Sequence, residues 1–272
     1  MKYIRVILKI LINFIIFMIF LIPFYWMVLT SIKTLGNTLK MPPTFFVKDP
    51  QFSNFIQVFQ TIPFFKMLKN SVIITISTIL CQIVTVIPAA FAFARFKFKG
   101  QKVLFGLVLL TMMIPAQLVF LPVFLFFSKL NMINSYASLI LPSACSAFSI
   151  FMLRQTFKQI PEELLEAARL DKANELKILF KIMLPIAKPT VITMLLLTFI
   201  NSWNDYFWPL VLTTNNDVRP LTVGISGLRQ VEGGISYHIL MAGNVLLVVP
   251  IIIIFVLLQK HIIKAFTYMG EK

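Results

Sequence analysis

Long apolar runs separated by short basic segments set the pattern of this chain. From about 6 to 32 the apolar sequence is interrupted only by Lys9, and runs of similar character follow at about 71–94, 103–127, 135–153, 189–212 and 239–259. A helix rising 1.5 Å per residue needs roughly 20 apolar residues to cross a hydrocarbon core about 30 Å thick. Each run is therefore predicted to be a membrane-spanning helix, which makes the fold an all-α membrane protein with six transmembrane helices in a single domain over 1–272. Every predicted span carries a proline inside it or at its end, among them Pro23, Pro88, Pro115, Pro122, Pro142, Pro209 and Pro250. Kinks are expected there, because proline removes an intrahelical donor that neighbouring helices can compensate.

The pattern changes between spans four and five. Segment 154–188 is too polar to span, and five of the ten acidic residues of the chain, Glu162, Glu163, Glu166, Asp171 and Glu175, fall inside it. Ile160-Pro161-Glu162-Glu163 reads as a helix start, with proline at the first turn and acids where the helix dipole favours them. Asp171-Lys172-Ala173-Asn174 reads as a turn, with Asn174 able to cap a second helix. In that helix Leu176, Leu179, Phe180 and Met183 share one face while Lys177 and Lys181 take the other, and Leu184-Pro185 is expected to end it. The segment is thus predicted to be a helix-turn-helix at the inner membrane surface. Carboxylates gain nothing from anionic headgroups, so this concentration of acids points to contact with another protein; a solvated amphipathic connector is the alternative. Outside the membrane, segment 33–70 places Phe52, Phe55, Ile56 and Phe59 at helical spacing, as in an interfacial helix. Segment 213–237, rich in glycine, reads as an irregular loop.

Composition agrees with a lipid environment: 58% of residues are hydrophobic, 13% are charged, and the mean hydropathy is +0.88. Lysine and arginine set the orientation, since they are retained on the cytoplasmic side. With the N-terminus inside, 17 of the 25 basic residues lie in cytoplasmic segments. Both termini are therefore expected in the cytoplasm. The basic start and apolar run at the N-terminus also resemble a secretory signal, but no small-residue cleavage site follows and the run exceeds a signal's apolar core, which favours an uncleaved span. The net charge of +15 is spread over four short segments, a distribution suited to membrane lipid rather than to nucleic acid. Cys81 and Cys145 each stand alone in a span, and with His238 and His261 as the two histidines a metal site is not expected.

Two features bear on what the protein moves and what drives it. Asn201, Asn204 and Asp205 stand at i, i+3 and i+4 in an apolar helix, flanked by Trp203 and Trp208 at positions suited to an aromatic belt. Such polar residues mark either a substrate pathway or interhelical hydrogen bonds. No GxxxxGK[ST] sequence occurs, so the chain lacks that phosphate-binding loop. An ion-coupled carrier ordinarily keeps acids or histidines at the midplane, whereas Asp205 lies about 24 Å along its span, nearer the outer face. Energy is expected from a separate ATPase.

Pro-Glu-Glu-Leu-Leu-Glu-Ala-Ala-Arg-Leu-Asp at 161–171, followed by Leu184-Pro185 and Lys188-Pro189, resembles the EAA signature of the membrane subunits of bacterial ABC importers. The likeness is greatest to carbohydrate-uptake permeases of the maltose-transporter type. It extends to NSVIIT at 70, AFAFARFKFKG at 90, ILPSACSAF at 140, LRQTFKQIPEE at 153 and SWNDYFWPL at 202. The resemblance implies a multi-pass permease of the bacterial inner membrane, without enzymatic activity or cofactor of its own. Its implied partners are two copies of a cytoplasmic ATPase that bind ATP and Mg, a second homologous permease and an extracytoplasmic solute-binding protein. It implies that the helix-turn-helix is the coupling element, with Glu163, Glu166, Ala167, Ala168, Asp171 and Lys172 as contact positions, and that Asn201, Asn204 and Asp205 are candidates for the pathway of a sugar. A polyol or glycerol phosphate is the alternative cargo. It also implies that the tail 260–272 touches the ATPases and that loop 213–237 touches the binding protein. One position departs from the pattern: Lys172 stands where the family usually has glycine. If the turn needs a positive φ, lysine costs about 1 kcal/mol relative to glycine there.

Overall fold

The computed structural model of the chain describes residues 2–230 and 236–270, with side chains left out at 2, 4, 5, 230, 258 and 260–270. Helices account for the regular structure, and no strand occurs among the described residues. In chain order they are α1 (Lys2–Ser31), α2 (Leu35–Leu39), α3 (Ser53–Thr61), α4 (Phe64–Arg95), α5 (Gln101–Thr111), α6 (Phe120–Lys129), α7 (Tyr136–Ile140) and α8 (Ala147–Gln159). They continue as α9 (Glu162–Leu170), α10 (Glu175–Ile178), a π-helical turn (Leu179–Met183), α11 (Leu184–Ile186), α12 (Lys188–Trp203), α13 (Phe207–Leu212), α14 (Leu221–Gly227) and α15 (Tyr237–Gly270).

Among the described residues three helices are long and apolar enough to cross a membrane unbroken: Val6–Ser31, Phe64–Arg95 and Tyr237–Leu257. The fourth predicted run is a bent pair, Tyr136–Ser143 meeting Ala147–Gln159 at 41°, and the fifth is entered through a sharp corner, where Glu175–Ile186 of the preceding segment meets Lys188–Trp203 at 83°. The third run, expected as one helix over 103–127, is two short helices, α5 and α6, separated by a 3-10 turn at Ala116–Leu118. Pro115 causes the break, since it is extended at φ −59° and ψ 135° and its ring disfavours helix in the residue before it. The fifth run likewise stops at Trp203 and restarts at Phe207.

The chain divides into two compact units, Met1–Phe65 with Leu221–Ile252, and Lys66–Pro220 with Ile253–Lys272. In the first, Asn54 in α3 donates its side-chain amide to the carbonyls of Ser31 and Lys33, both at 2.9 Å, and so anchors α3 to the end of α1. Lys33 is buried, donates to the Thr44 carbonyl at 2.7 Å and lies 4.6 Å from the centre of the Trp26 ring. Burial holds its ammonium below the usual lysine pKa. On α3, Phe52, Ile56 and Phe59 point outward at i, i+4 and i+7 spacing, while Asn54 and Val58 are buried.

The second unit holds the predicted coupling segment and the polar positions of the fifth run. Its core joins α4 through Val86, Ala90 and Phe91 to α8 through Leu153 and Phe157. Leu165 and Ala168 of α9 and Ile178, Leu179 and Met183 beyond it complete that core. The helix-turn-helix is therefore an integral layer of this unit.

Candidate functional site

The turn at 170–174 shows how the predicted coupling segment is built. Helix α9 starts after Pro161, which is extended, with Glu162 and Glu163 in the first turn. It ends in a Schellman arrangement: the Lys172 N–H donates to Arg169 at 2.9 Å and the Ala173 N–H to Ala168 at 3.0 Å. That closure requires a left-handed residue between them, and Lys172 supplies it at φ 57°. The positive φ anticipated for this position is present. Asn174 then caps α10, its side chain accepting the Lys177 N–H at 2.8 Å, as its place in the sequence predicts. The second helix does not stop at Leu184-Pro185. The π-helical turn and α11 carry it through Pro185 to Ile186, and the sharp bend comes at Ala187. Its predicted apolar stripe is only half buried: Leu179 and Met183 face the core together with Ile178, while Leu176 and Phe180 are exposed.

Helix α9 thus has two unlike faces. Leu165 and Ala168 are locked inward. Glu163, Glu166, Ala167 and Leu170, at i, i+3, i+4 and i+7, all face outward, and Leu170 is 85% exposed. Asp171 and Lys172 are exposed beside them. Ala168, matched to the same motif, packs within the unit and is turned away from that outer face.

A cationic bracket holds this helix in place. Arg95, the last residue of α4, has a side chain only 8% exposed and pairs with Glu162 at 2.7 Å. Its guanidinium also donates to the carbonyls of Phe157 and Ile160 at the end of α8. Glu162 in turn pairs with Arg169 at 3.2 Å, and Arg169 with Glu175 at 3.0 Å, so the two arms of the turn share one ion network. Arg154 donates to the Phe93 carbonyl at 3.0 Å and lies 3.9 Å over the Phe105 ring. Arg95, Lys97, Lys102, Arg154 and Lys158, together with Glu162 and Glu166, surround a recess of ≈ 690 Å³ beside α9.

A second cavity, ≈ 660 Å³, lies elsewhere in the same unit. Asn201 and Asp205 line it and Asn204 does not. Because α12 ends at Trp203, Asn204 occupies the cap position and returns its amide to the Ile200 carbonyl at 2.9 Å. Asp205 accepts the Trp208 backbone N–H at 3.3 Å, at the start of α13. Trp203, expected in an aromatic belt, is buried and stacks on Phe199 at 5.6 Å, whereas Trp208 lines the cavity. Across from them α4 contributes Ser71, Thr78 and Gln82. Gln82 donates to the Ser143 carbonyl at 2.8 Å and accepts from Thr198 at 2.7 Å.

These α4 residues carry a signal that a reading for spans overlooks. Ser71, Thr75, Thr78, Gln82 and Thr85 recur at helical spacing and form a polar stripe along an apolar helix. The bracket around Glu162 has no comparable signature. The suggested contacts of tail 260–272 concern side chains outside the described residues, as does the middle of loop 213–237 at 231–235. Among the described residues no group of three His, Cys, Asp or Glu could hold a metal ion.

Comparison with known proteins agrees with this architecture. The chain is 36% identical over 244 residues to the arabinooligosaccharides transport system permease protein of Halalkalibacterium halodurans, covering 89% of this chain and 86% of that protein. It is 32% identical to the protein of the same description from Bacillus subtilis (strain 168), over 94% and 92% of the two chains. It is also 33% identical to the sn-glycerol-3-phosphate transport system permease protein of Shigella flexneri, over 74% and 72%. Among solved structures, a chain of a bacterial ABC transporter involved in the import of the acidic polysaccharide alginate superposes with a TM-score of 0.80 at 26% identity, covering 93% of this chain and 96% of that one. Residues 86–268, which include α9, the bend at Ala187 and most of the polar cavity, match the family described as Binding-protein-dependent transport system inner membrane component, and the chain belongs to that family.

Proposed function

We propose that the chain is the six-span permease subunit of a sugar importer, with both termini in the cytoplasm, moving its cargo by alternating access. Two copies of a cytoplasmic ATPase bind ATP and Mg and supply the energy, and the chain itself holds no nucleotide. A second homologous permease and an extracytoplasmic solute-binding protein complete the assembly. When the ATPases close on ATP they push α9 and the helices behind it, and the spans tilt outward. Glu163, Glu166, Ala167 and Asp171 form the docking face, with Lys172 at its edge.

One observation carries this reading. Helix α9 is fixed to the core on one side and presents acids around an exposed apolar strip on the other. An exposed leucine between carboxylates gains nothing from water and fits a partner groove with a basic rim. The sugar cargo is supported by the arabinooligosaccharide permeases, with glycerol phosphate as the alternative that another relative represents. Asn201 and Asp205, on the wall of the polar cavity, are the pathway residues.

Charge reversal tests the docking face. Glu166→Lys is expected to abolish ATP-driven uptake and co-purification of the ATPase while leaving membrane insertion intact. Normal uptake with unchanged ATPase recovery would remove the docking role from α9.

A further inference from the structure

We propose that the polar cavity of the second unit binds an uncharged oligosaccharide and that Asp205 turns anionic sugars away; this rests on the sugar-permease reading above. The first support is the chemistry of the wall. Of the residues lining the ≈ 660 Å³ cavity, Asp205 alone is charged. The other polar groups are hydroxyls and amides, such as Ser71, Gln117, Ser146 and Asn201, while Phe148 and Trp208 add aromatic surface. A sugar ring offers hydroxyls at its edge and C–H groups on its faces, so this mixture matches both.

The second support is Thr78. It is 1% exposed, lines the cavity, and its hydroxyl has no partner within the protein. A buried hydroxyl without a partner is costly, and a ligand hydroxyl would satisfy it. Its neighbours are already engaged, since Gln82 is held between Ser143 and Thr198. Thr78 is therefore a buried group in this wall with bonding capacity left for a ligand.

Charge decides between the cargoes. A carboxylate accepts strong hydrogen bonds from sugar hydroxyls. A uronate or phosphate in the same space would meet Asp205 with no Lys, Arg or His among the lining residues to offset it. The named cargoes of the relatives include arabinooligosaccharides, glycerol phosphate and alginate. The cavity suits the uncharged kind.

The test uses the assembled transporter in lipid nanodiscs, titrated separately with arabinotriose and with a mannuronate trisaccharide. Tryptophan fluorescence reports binding, and Trp208→Phe identifies the cavity signal. Arabinotriose is expected to bind saturably and about tenfold or more tighter than the mannuronate. Thr78→Val should weaken arabinotriose about fivefold without lowering thermal stability, because it removes a hydroxyl that bonds nothing in the protein. Asp205→Asn should reduce the discrimination between the two sugars to about threefold or less. Equal affinity for the two sugars, an undiminished affinity in Thr78→Val, or no saturable Trp208 response would overturn the proposal. ATP-driven sugar uptake that persists without that response would overturn the cavity assignment alone. Absence of ATP-driven uptake of any sugar by the wild-type assembly would overturn the reading beneath it.

Discussion

Lys172 carries backbone strain that its neighbours enforce. The two Schellman hydrogen bonds from Lys172 and Ala173 and the cap at Asn174 fix the turn, so the residue at φ 57° has no freedom to relax. A lysine there costs about 1 kcal/mol relative to glycine. Lys172→Gly is therefore expected to raise the unfolding free energy of the detergent-solubilised protein by about 1 kcal/mol, and Lys172→Ile to lower it by at least as much. Thermal unfolding followed by tryptophan emission separates the two variants. Most of this turn was legible in the sequence because capping is local: Pro161, Asn174 and the anomalous lysine act within a few residues of themselves. Arg95 was not legible in this way, because its partner Glu162 lies 67 positions further along the chain.

Helix α9 is held to the rest of its unit by Leu165 and Ala168 in the core and by that arginine at its start. Arg95 is buried and serves two carbonyls and a carboxylate, whereas Glu162 is half exposed and shared between two arginines. The consequences of removing each should differ. Arg95→Ala leaves two carbonyls short of a donor and is expected to cost about 2 kcal/mol, together with most of the coupled uptake. Glu162→Gln weakens half-exposed pairs and should cost less than about 1 kcal/mol. Thermal unfolding beside ATP-driven uptake checks both, and equal losses for the two variants would contradict the arrangement. The spanning helices were foreshadowed by the length of the apolar runs, and the second arm of the turn by its periodicity. Kinks were expected at the prolines, but which of them break a span was not legible, because a broken and a continuous span have the same composition. Pro115 separates α5 from α6, yet Pro23 and Pro88 sit inside unbroken helices, so a proline alone does not mark where a span breaks.

Over the whole molecule, the distribution of basic residues carries the prediction. Lys48 lies in a segment expected outside the cell and Lys99 in one expected inside, and both are exposed. With Cys81 and Cys145 replaced by alanine, Lys48→Cys should react with a membrane-impermeant maleimide in spheroplasts. Lys99→Cys should react only after permeabilisation, and labelling in the opposite order would reverse the orientation. Lipid has much to cover: no part of the most apolar window of α1 is buried within the chain. The sequence made that surface evident, since an uninterrupted apolar helix leaves no polar face from which an inward side could be inferred.

The 83° bend at Ala187 has a mechanical meaning. Ala187 is fully buried, and hydrogen bonds run through it in both directions, its N–H donating to Met183 at 2.8 Å and its carbonyl accepting from Val191 at 3.0 Å. A corner braced on both sides does not fold like a hinge. Under the ATP-driven push proposed above it is expected to act as a bell crank, with thrust along the short arm ending at Ile186 reaching the long arm starting at Lys188 as torque. The wall bearing Asn201 is at the far end of that long arm, where a small rotation about the corner sweeps the greatest distance.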